Sequence, residues 1–433
     1  MKNSKEFAQE LVDFLYDSPS AFHAVENVKE DLVKAGFSEL KEEAKWNLEK
    51  GGKYFTTKNG SALIAFVVGN GEIEENGFKL IGAHTDSPGF RIKPKAEMVV
   101  EDTYVRLNTE VYGGPILSTW FDRPLSLAGR VTLKSENPLE PKIELLNIKR
   151  PIMIIPNLSI HMNRTINEGY AYNKQKDTLP LLSLVNENLE KGNYLINLIA
   201  EELKVAKEEI IDFDLFLYEF EKGCIMGLNE EFISSGRLDD LQNVHAGIEA
   251  IKNAAVTNGT NVMICYDNEE VGSATKQGAD SDMLANILER IILCLGKGRE
   301  DFFRTLAKSF IISADNAHAL HPNYPEKHDP TNRPMINKGP VIKVNANQAY
   351  TTDAESSAVY EMICMKAGVP YQKFVNRSDV RGGSTIGPIN STHLNIRSVD
   401  MGTPQFAMHS IREFAGVEDH MYAYKSFLEF FNL

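Results

Sequence analysis

The sequence predicts an α/β protein in which a three-layer, mostly parallel sheet domain is interrupted by an inserted β-rich domain. Three observations carry that expectation. Apolar runs of strand length alternate with helical periodicity at both ends of the chain, which implies crossover connections and a sheet covered on both faces. Between about 95 and 231 the texture changes to short alternating segments separated by turns. The 433 residues also exceed the usual length of one domain, so two are expected. The α/β domain then takes 1–94 and 232–433, and the insertion takes 95–231.

The elements follow in chain order. Apolar residues recur at helical spacing over 4–16 and 20–35, the second stretch closed by Gly36. "SALIAFVV" and "FKLIGA" are continuous apolar runs, the pattern of strands buried on both faces. "TYVRLNTEVY", "LAGRVTLK" and "PKIELLNI" alternate with period two and predict antiparallel strands in the insertion. Beyond 232, "NVMICY", "SFIISA", "GPVIKVN" and "LNIRSVDMG" read as strands. "SDMLANILERIILCLG", 353–366 and 418–431 read as helices.

Composition excludes several functions. With 42% hydrophobic and 24% charged residues the chain is an ordinary globular one. A net charge of -14 disfavours nucleic acid and anionic membrane surfaces as partners. No apolar run approaches the roughly 20 residues of a membrane span. The amphipathic, acidic N-terminus does not read as a targeting segment. Cys224, Cys265, Cys294 and Cys364 show no paired spacing and read as buried thiols of a reducing compartment, so a cytoplasmic location is expected.

Ligands of open α/β sheets bind at the carboxyl ends of the strands. There the sequence collects imidazoles and carboxylates: His84 and Asp86 after "LIGA", Asp239 and Asp240 after "FISSGRL", Glu269 and Glu270 after "VMICYDN", Asp315 after "FIISA", and His409 after "PQFAM". Singly, each is as readily a turn, a cap or a satisfied polar residue. If they converge, their burial without a cation would be costly, and a divalent metal reverses that cost. Imidazole and carboxylate donors without thiolates suit zinc, with cobalt or manganese as alternatives. In this reading Asp86 orients His84 from behind, and the Glu–Glu pair divides into one ligand and one free base.

The motifs "GAHTDSPG", "GRLDD", "NEEVGS", "ADNAHALHPNY" and "MGTPQFAMHSIRE" together resemble the aspartyl aminopeptidase family of dinuclear zinc aminopeptidases. "EVYGGPILSTWFDRPLSLAGRV", "NLSIHMNR", "KGPVIKVNANQAY" and "STIGPI" extend the resemblance over nearly the whole chain. The resemblance implies release of N-terminal residues from peptides with two zinc ions per subunit. It implies that Asp239 bridges the metals, that His84 and Asp315 complete one shell and Glu270 and His409 the other, and that Glu269 is the general base. It further implies a strained, cis Asp239–Asp240 peptide, and an oxyanion hydrogen bond from Tyr350, which is otherwise a core aromatic. Lys343 would meet an acidic side chain (Asp or Glu) at the substrate's first residue, although a lysine also tolerates neutral ones. His318 and His321 would line or brace the pocket, or be ordinary structural histidines. His161, in the insertion, would reach a neighbouring subunit's site. The insertion would then be a dimerisation domain in a tetrahedral homododecamer built from dimers.

Two other readings compete. A carboxypeptidase or deacylase of related fold would need a cation for its substrate's carboxylate, for which Arg381 is the candidate. A catalytically dead assembly would serve as scaffold or cargo, against which the complete ligand set and Glu269 argue. Neither HExxH nor a P-loop is present, and "GGSTIG" lacks the spacing of a nucleophile elbow.

Overall fold

The computed structural model describes residues 3–185 and 193–433 and divides into two compact units. The first comprises Met1–Asp86, Gly223–Met408 and Glu413–Leu433, and the second Ser87–Lys222 with His409–Arg412.

The first unit is built on a nine-stranded sheet. Its lateral order is Ser38–Glu39, Lys53–Lys58, Ala62–Val67, Thr260–Tyr266, Phe78–His84, Phe310–Ala314, Arg397–Gly402, Val341–Val344 and Gln372–Val375. Five of its eight pairings are parallel and three antiparallel, so the sheet is mostly parallel and mixed at both flanks. Side chains alternate between two cores, as a pleat requires. Leu63, Ala65, Ile81 and Met263 face a core shared with helices Ser4–Asp17, Ala21–Lys34, Leu238–Asn253, Ala354–Ala367 and Val417–Phe431. Ile64, Phe66, Leu80 and Val262 face the other, with helices Met283–Cys294 and Arg299–Lys308. Helices on both faces make the three layers.

Helix Ser4–Asp17 starts at a capping box, where the Asn3 side chain accepts from the Glu6 amide and the Glu6 carboxylate accepts from the Asn3 amide. Helix Leu238–Asn253 escaped the periodicity reading because it is buried nearly all round and carries Asp239, Asp240, Gln242, Asn243 and His245 inside. No polar face marks it. A small five-stranded sheet was also missed. It orders Cys224–Met226, Phe232–Ser235, Glu413–Gly416, Pro404–Phe406 and Ala317–His318. These strands are too short to show a period.

Register positions the site. Tyr266 pairs with His84, and Ser313 with Gly82, so three adjacent parallel strands end nearly level. The residues just beyond these strand ends are therefore delivered to one edge of the sheet.

In the second unit the chain enters strand Gly89–Val100 directly after Asp86, and it leaves before Cys224–Met226, which pairs within the first unit. That pairing is why the unit ends before 231, and it begins before 95 because the strand from Gly89 already pairs with Tyr104–Tyr112 in its sheet. Its six-stranded antiparallel sheet orders Lys142–Asn147, Leu125–Leu133, Ile210–Glu219, Gly89–Val100, Tyr104–Tyr112 and Leu181–Leu184. Its core collects Phe90, Leu107, Trp120, Leu127 and Leu215. Helix Tyr194–Leu203 adds Leu195 and Ile199 to that core, so the unit is not purely β.

One expectation is corrected. Cys265 and Cys364 are buried, but Cys224 is exposed and Cys294 only half-buried. Cys224 lies on the edge strand Cys224–Met226, where alternate side chains face solvent. Among the described residues, no helix is long and apolar enough to cross a membrane.

Candidate metal centre

The level strand ends of the first unit bring together most of the residues singled out in the sequence. The candidate ligand atoms of His84, Asp239 and Asp315 all lie within 4.8 Å of one another, and so do those of His84, Glu269 and Glu270. Each arrives from a different segment. His84 closes its strand, Asp315 follows the strand Phe310–Ala314, and Glu269 and Glu270 open a short turn of helix after Asn268. Asp239 stands in the first turn of Leu238–Asn253 with non-helical dihedrals, and the Asp239–Asp240 peptide is cis.

The imidazole of His84 is fixed at both nitrogens. Nδ1 lies 3.1 Å from the Asp86 carbonyl oxygen, which can only accept, so Nδ1 carries the proton. Nε2 faces Asp239 Oδ1 at 3.4 Å. Burial lowers the imidazole's pKa, but Asp239 and Asp86 outweigh it and hold the ring well above its usual range; a metal bound there would take the place of the Nε2 proton. Asp86 does more than the sequence suggested. Its two carboxylate oxygens accept the backbone N–H groups of Glu269 and Glu270, each at 3.1 Å. One buried aspartate thus supports the histidine and the Glu–Glu turn.

Several supporting groups were not legible in the sequence. The buried Asp240 carboxylate accepts from the His84 amide at 3.2 Å and from Asn243 Nδ2 at 2.6 Å. Buried Glu413 accepts from the Asp239 amide at 3.0 Å. Asn316 donates from Nδ2 to the Leu238 carbonyl and to Gln405, and its Oδ1 accepts from Asn243. Asp240, Asn316, Gln405 and Glu413 lay inside quoted motifs and Asn243 outside them, but apart from Asp240, named for its place after a strand, nothing local set them apart from surface polar residues.

Lys343 is not on a solvated strand face, the commoner fate of a lysine. It is 3% exposed, and its Nζ donates to the Asn316 carbonyl at 3.0 Å and stands 3.3 Å from Asp315 Oδ2. Burial opposes its charge, but Asp315, Tyr350, Asp400 and Asp239 together outweigh that and hold the ammonium above its usual range. Tyr350 is buried, with its ring 5.4 Å from the Lys343 ammonium. His318 is exposed and meets Phe374 edge-on, while His321 is half-buried against Phe406 and Tyr324. Arg381 is exposed.

Two site residues belong to the second unit. His161 is exposed, in a turn flanked by the exposed apolar residues Leu158, Ile160 and Met162. His409 opens the segment His409–Arg412, with its Nδ1 3.2 Å from the Gly114 carbonyl oxygen. Its φ of 69° lies in the left-handed region, which is uncommon outside glycine and clusters at functional sites.

The electrostatics ask for a cation. Burial, opposed by His84 and reinforced by Asp315, Glu270 and Asp86, pushes Glu269 up to about 8. Burial also raises Asp315, against the pull of Lys343, and raises Asp240 well above the carboxylate range. So many buried acids in one place would each be stabilised by a divalent ion among them. One imidazole and several carboxylates, with no thiolate, fit zinc.

Comparison with known proteins agrees. The family model described as aminopeptidase I zinc metalloprotease (M18) matches residues 14–431. A Clostridium novyi protein named probable M18 family aminopeptidase 2 is 66% identical over 433 residues, covering 100% of both chains. The structure solved for the Ape4 and Nbr1 complex superposes with a TM-score of 0.95 at 39% identity, over 99% of this chain and 86% of that one. That of the S. cerevisiae mApe1 dodecamer gives 0.87 at 30% identity, over 99% and 97%.

Proposed function

The chain belongs to the M18 family of zinc aminopeptidases and is a metal-dependent aminopeptidase, and on that premise we propose a two-ion site with a glutamate base. His84, Asp239, Asp315, Glu270 and His409 would hold the ions, with Asp239 common to both. The observation that supports two ions is that two groups of candidate ligand atoms lie mutually close, His84 with Asp239 and Asp315 and His84 with Glu269 and Glu270; the sharing of Asp239 rests on the family resemblance.

Bound zinc supplies a Lewis acid for the scissile carbonyl and lowers the pKa of water. Glu269 accepts the proton of the attacking water and returns it to the departing amide nitrogen. Asp86 fixes the backbone from which Glu269 and Glu270 project. The Tyr350 hydroxyl donates to the oxygen that gains charge. His318 and His321 line the approach to the site.

The substrate is a peptide with a free amino terminus and an acidic first residue, Asp or Glu. A panel of aminoacyl anilides, each with its N-acetylated partner and with zinc, cobalt or manganese as defined metal, tests this. Cleavage of the acetylated series would move the chain to the deacylase or carboxypeptidase reading. In the same panel Lys343→Ala is expected to cost about one to two decades in kcat/KM for Asp and Glu substrates, the worth of one charged hydrogen bond. The 3.3 Å pair with Asp315 favours a second reading, in which Lys343 holds that carboxylate. An equal loss for leucine and aspartate substrates would establish it.

The protein acts in the cytoplasm as a tetrahedral homododecamer built from dimers, with the unit around the six-stranded sheet as the dimerisation domain. The likeness to a dodecameric mApe1 and the exposed Leu158, Ile160 and Met162 beside His161 support this; four free cysteines suit a reducing compartment. His161 then completes a neighbour's site. Subunits carrying His161→Ala and Glu269→Gln, each nearly inactive alone, should regain part of their activity when dissociated and reassembled together. Hybrids that form and stay inactive would return His161 to a structural role.

A further inference from the structure

Asp400 is fully buried on strand Arg397–Gly402, paired in register with Ser313, two residues before Asp315. No step of the proposed reaction uses it. Its carboxylate is nonetheless surrounded by donors from three segments. Oδ1 accepts from Ser313 Oγ at 2.6 Å and from Thr385 Oγ1 at 2.7 Å, and Oδ2 accepts from the Thr351 amide at 2.6 Å. The Asp400 amide in turn donates to Thr352 Oγ1 at 2.9 Å. The residue therefore grips Thr351 and Thr352 with side chain and backbone together, immediately after Tyr350.

The surroundings leave the carboxylate little freedom. Gly387, in the first turn of helix Ile386–Leu394, lies so close that a Cβ there would run into the Asp400 carboxyl group. Burial raises the carboxyl pKa, opposed by nearby Lys343 and by the Ser313, Thr351 and Thr385 donors. A buried acid is costly to keep unless its acceptors are all used, and both oxygens here are.

We propose that Asp400 is a positioning residue for the reaction: through the Thr351 N–H it fixes the segment that carries Tyr350, and so places the Tyr350 hydroxyl. This rests on the reading of Tyr350 as the oxyanion donor. A hydroxyl aimed at developing charge works only within a narrow geometry, and misplacement by about 1 Å can cost on the order of 10²-fold in rate.

The test is a double-mutant cycle on the metal-loaded enzyme, with melting temperature and metal content measured for every variant. Asp400→Ala should lower kcat by roughly 10- to 100-fold with KM nearly unchanged, and that loss should shrink sharply in a Tyr350→Phe background. Asp400→Asn should restore most of the rate. Its amide oxygen can accept from Thr351, and its NH2 can donate to the two hydroxyls, which turn to receive it. Gly387→Ala, which pushes the carboxylate aside without removing it, keeps the test open if Asp400→Ala does not fold. It should also lose kcat, and lose little more when Tyr350 is already phenylalanine. Losses that add in full to that of Tyr350→Phe, or an Asn variant as slow as the Ala variant, would overturn the proposal. A Tyr350→Phe enzyme with wild-type kcat would instead remove the oxyanion reading beneath it, so the two failures are told apart.

Discussion

The Glu269→Gln enzyme is expected to keep its full metal content and lose about 10²- to 10⁴-fold in kcat, the range that a positioned general base contributes. The change conserves shape and removes only the ability to take a proton. Because the Glu269 amide donates to Asp86, the side chain should still project from the same place. Glu269 also stands within ligand distance of His84 and Glu270, so a role as a metal ligand is the alternative that the measurement must separate. Metal analysis beside turnover does this. A metal-replete variant with near wild-type turnover would refute the base, and a variant that sheds metal would make Glu269 a ligand.

For Asp239→Asn the expected order is reversed, with metal lost first and activity lost because of it. Asp239 Oδ1 faces His84 Nε2, and the aspartate lies in the same close group as Asp315. An amide in its place removes the negative charge and one of the two equivalent oxygens that a shared ligand needs. Glu413 would still hold the Asp239 backbone amide, so the fold around position 239 should survive. Activity below about one per cent of wild type at moderate metal concentration is expected, which corresponds to a loss of about 2.7 kcal/mol or more. Metal titration followed calorimetrically should show both sites weakened. Two fully occupied sites in the variant would count against the bridge.

How much of the molecule was legible in the sequence depends on what each feature needs. Amphipathic helices such as Ser4–Asp17 and continuous apolar strands such as Ala62–Val67 declare themselves through local periodicity. Helix Leu238–Asn253 does not, because burial on every side erases the polar stripe. In the candidate centre, His84, Asp239, Glu269, Glu270 and Asp315 were legible as polar residues placed where apolar runs end. Apart from Asp86 behind His84, their support was not. The Lys343–Asp315 pair and the Asp400 contacts with Thr351 and Thr385 depend on which strands lie side by side and in which register. No local pattern in one sequence encodes that. A lysine alternating with valine and isoleucine reads as solvated until the neighbouring strand brings an aspartate beside it.

The level strand ends have a consequence for how the protein comes to exist. Residues 84, 239, the pair 269 and 270, and 315 come from separate segments of the chain and meet only once Phe78–His84 lies between Thr260–Tyr266 and Phe310–Ala314. Each of those parallel pairings closes a loop of well over a hundred residues, so this part of the sheet is entropically expensive to start and slow to form. A half-folded chain can present single carboxylates, but not the convergent set. Affinity for the ion is thereby reserved for the finished molecule, and a ligand that binds only the native state adds its binding free energy to stability. Loading with metal becomes a certificate of completed folding: chains that stall midway stay empty, and those that finish are locked by what they take up.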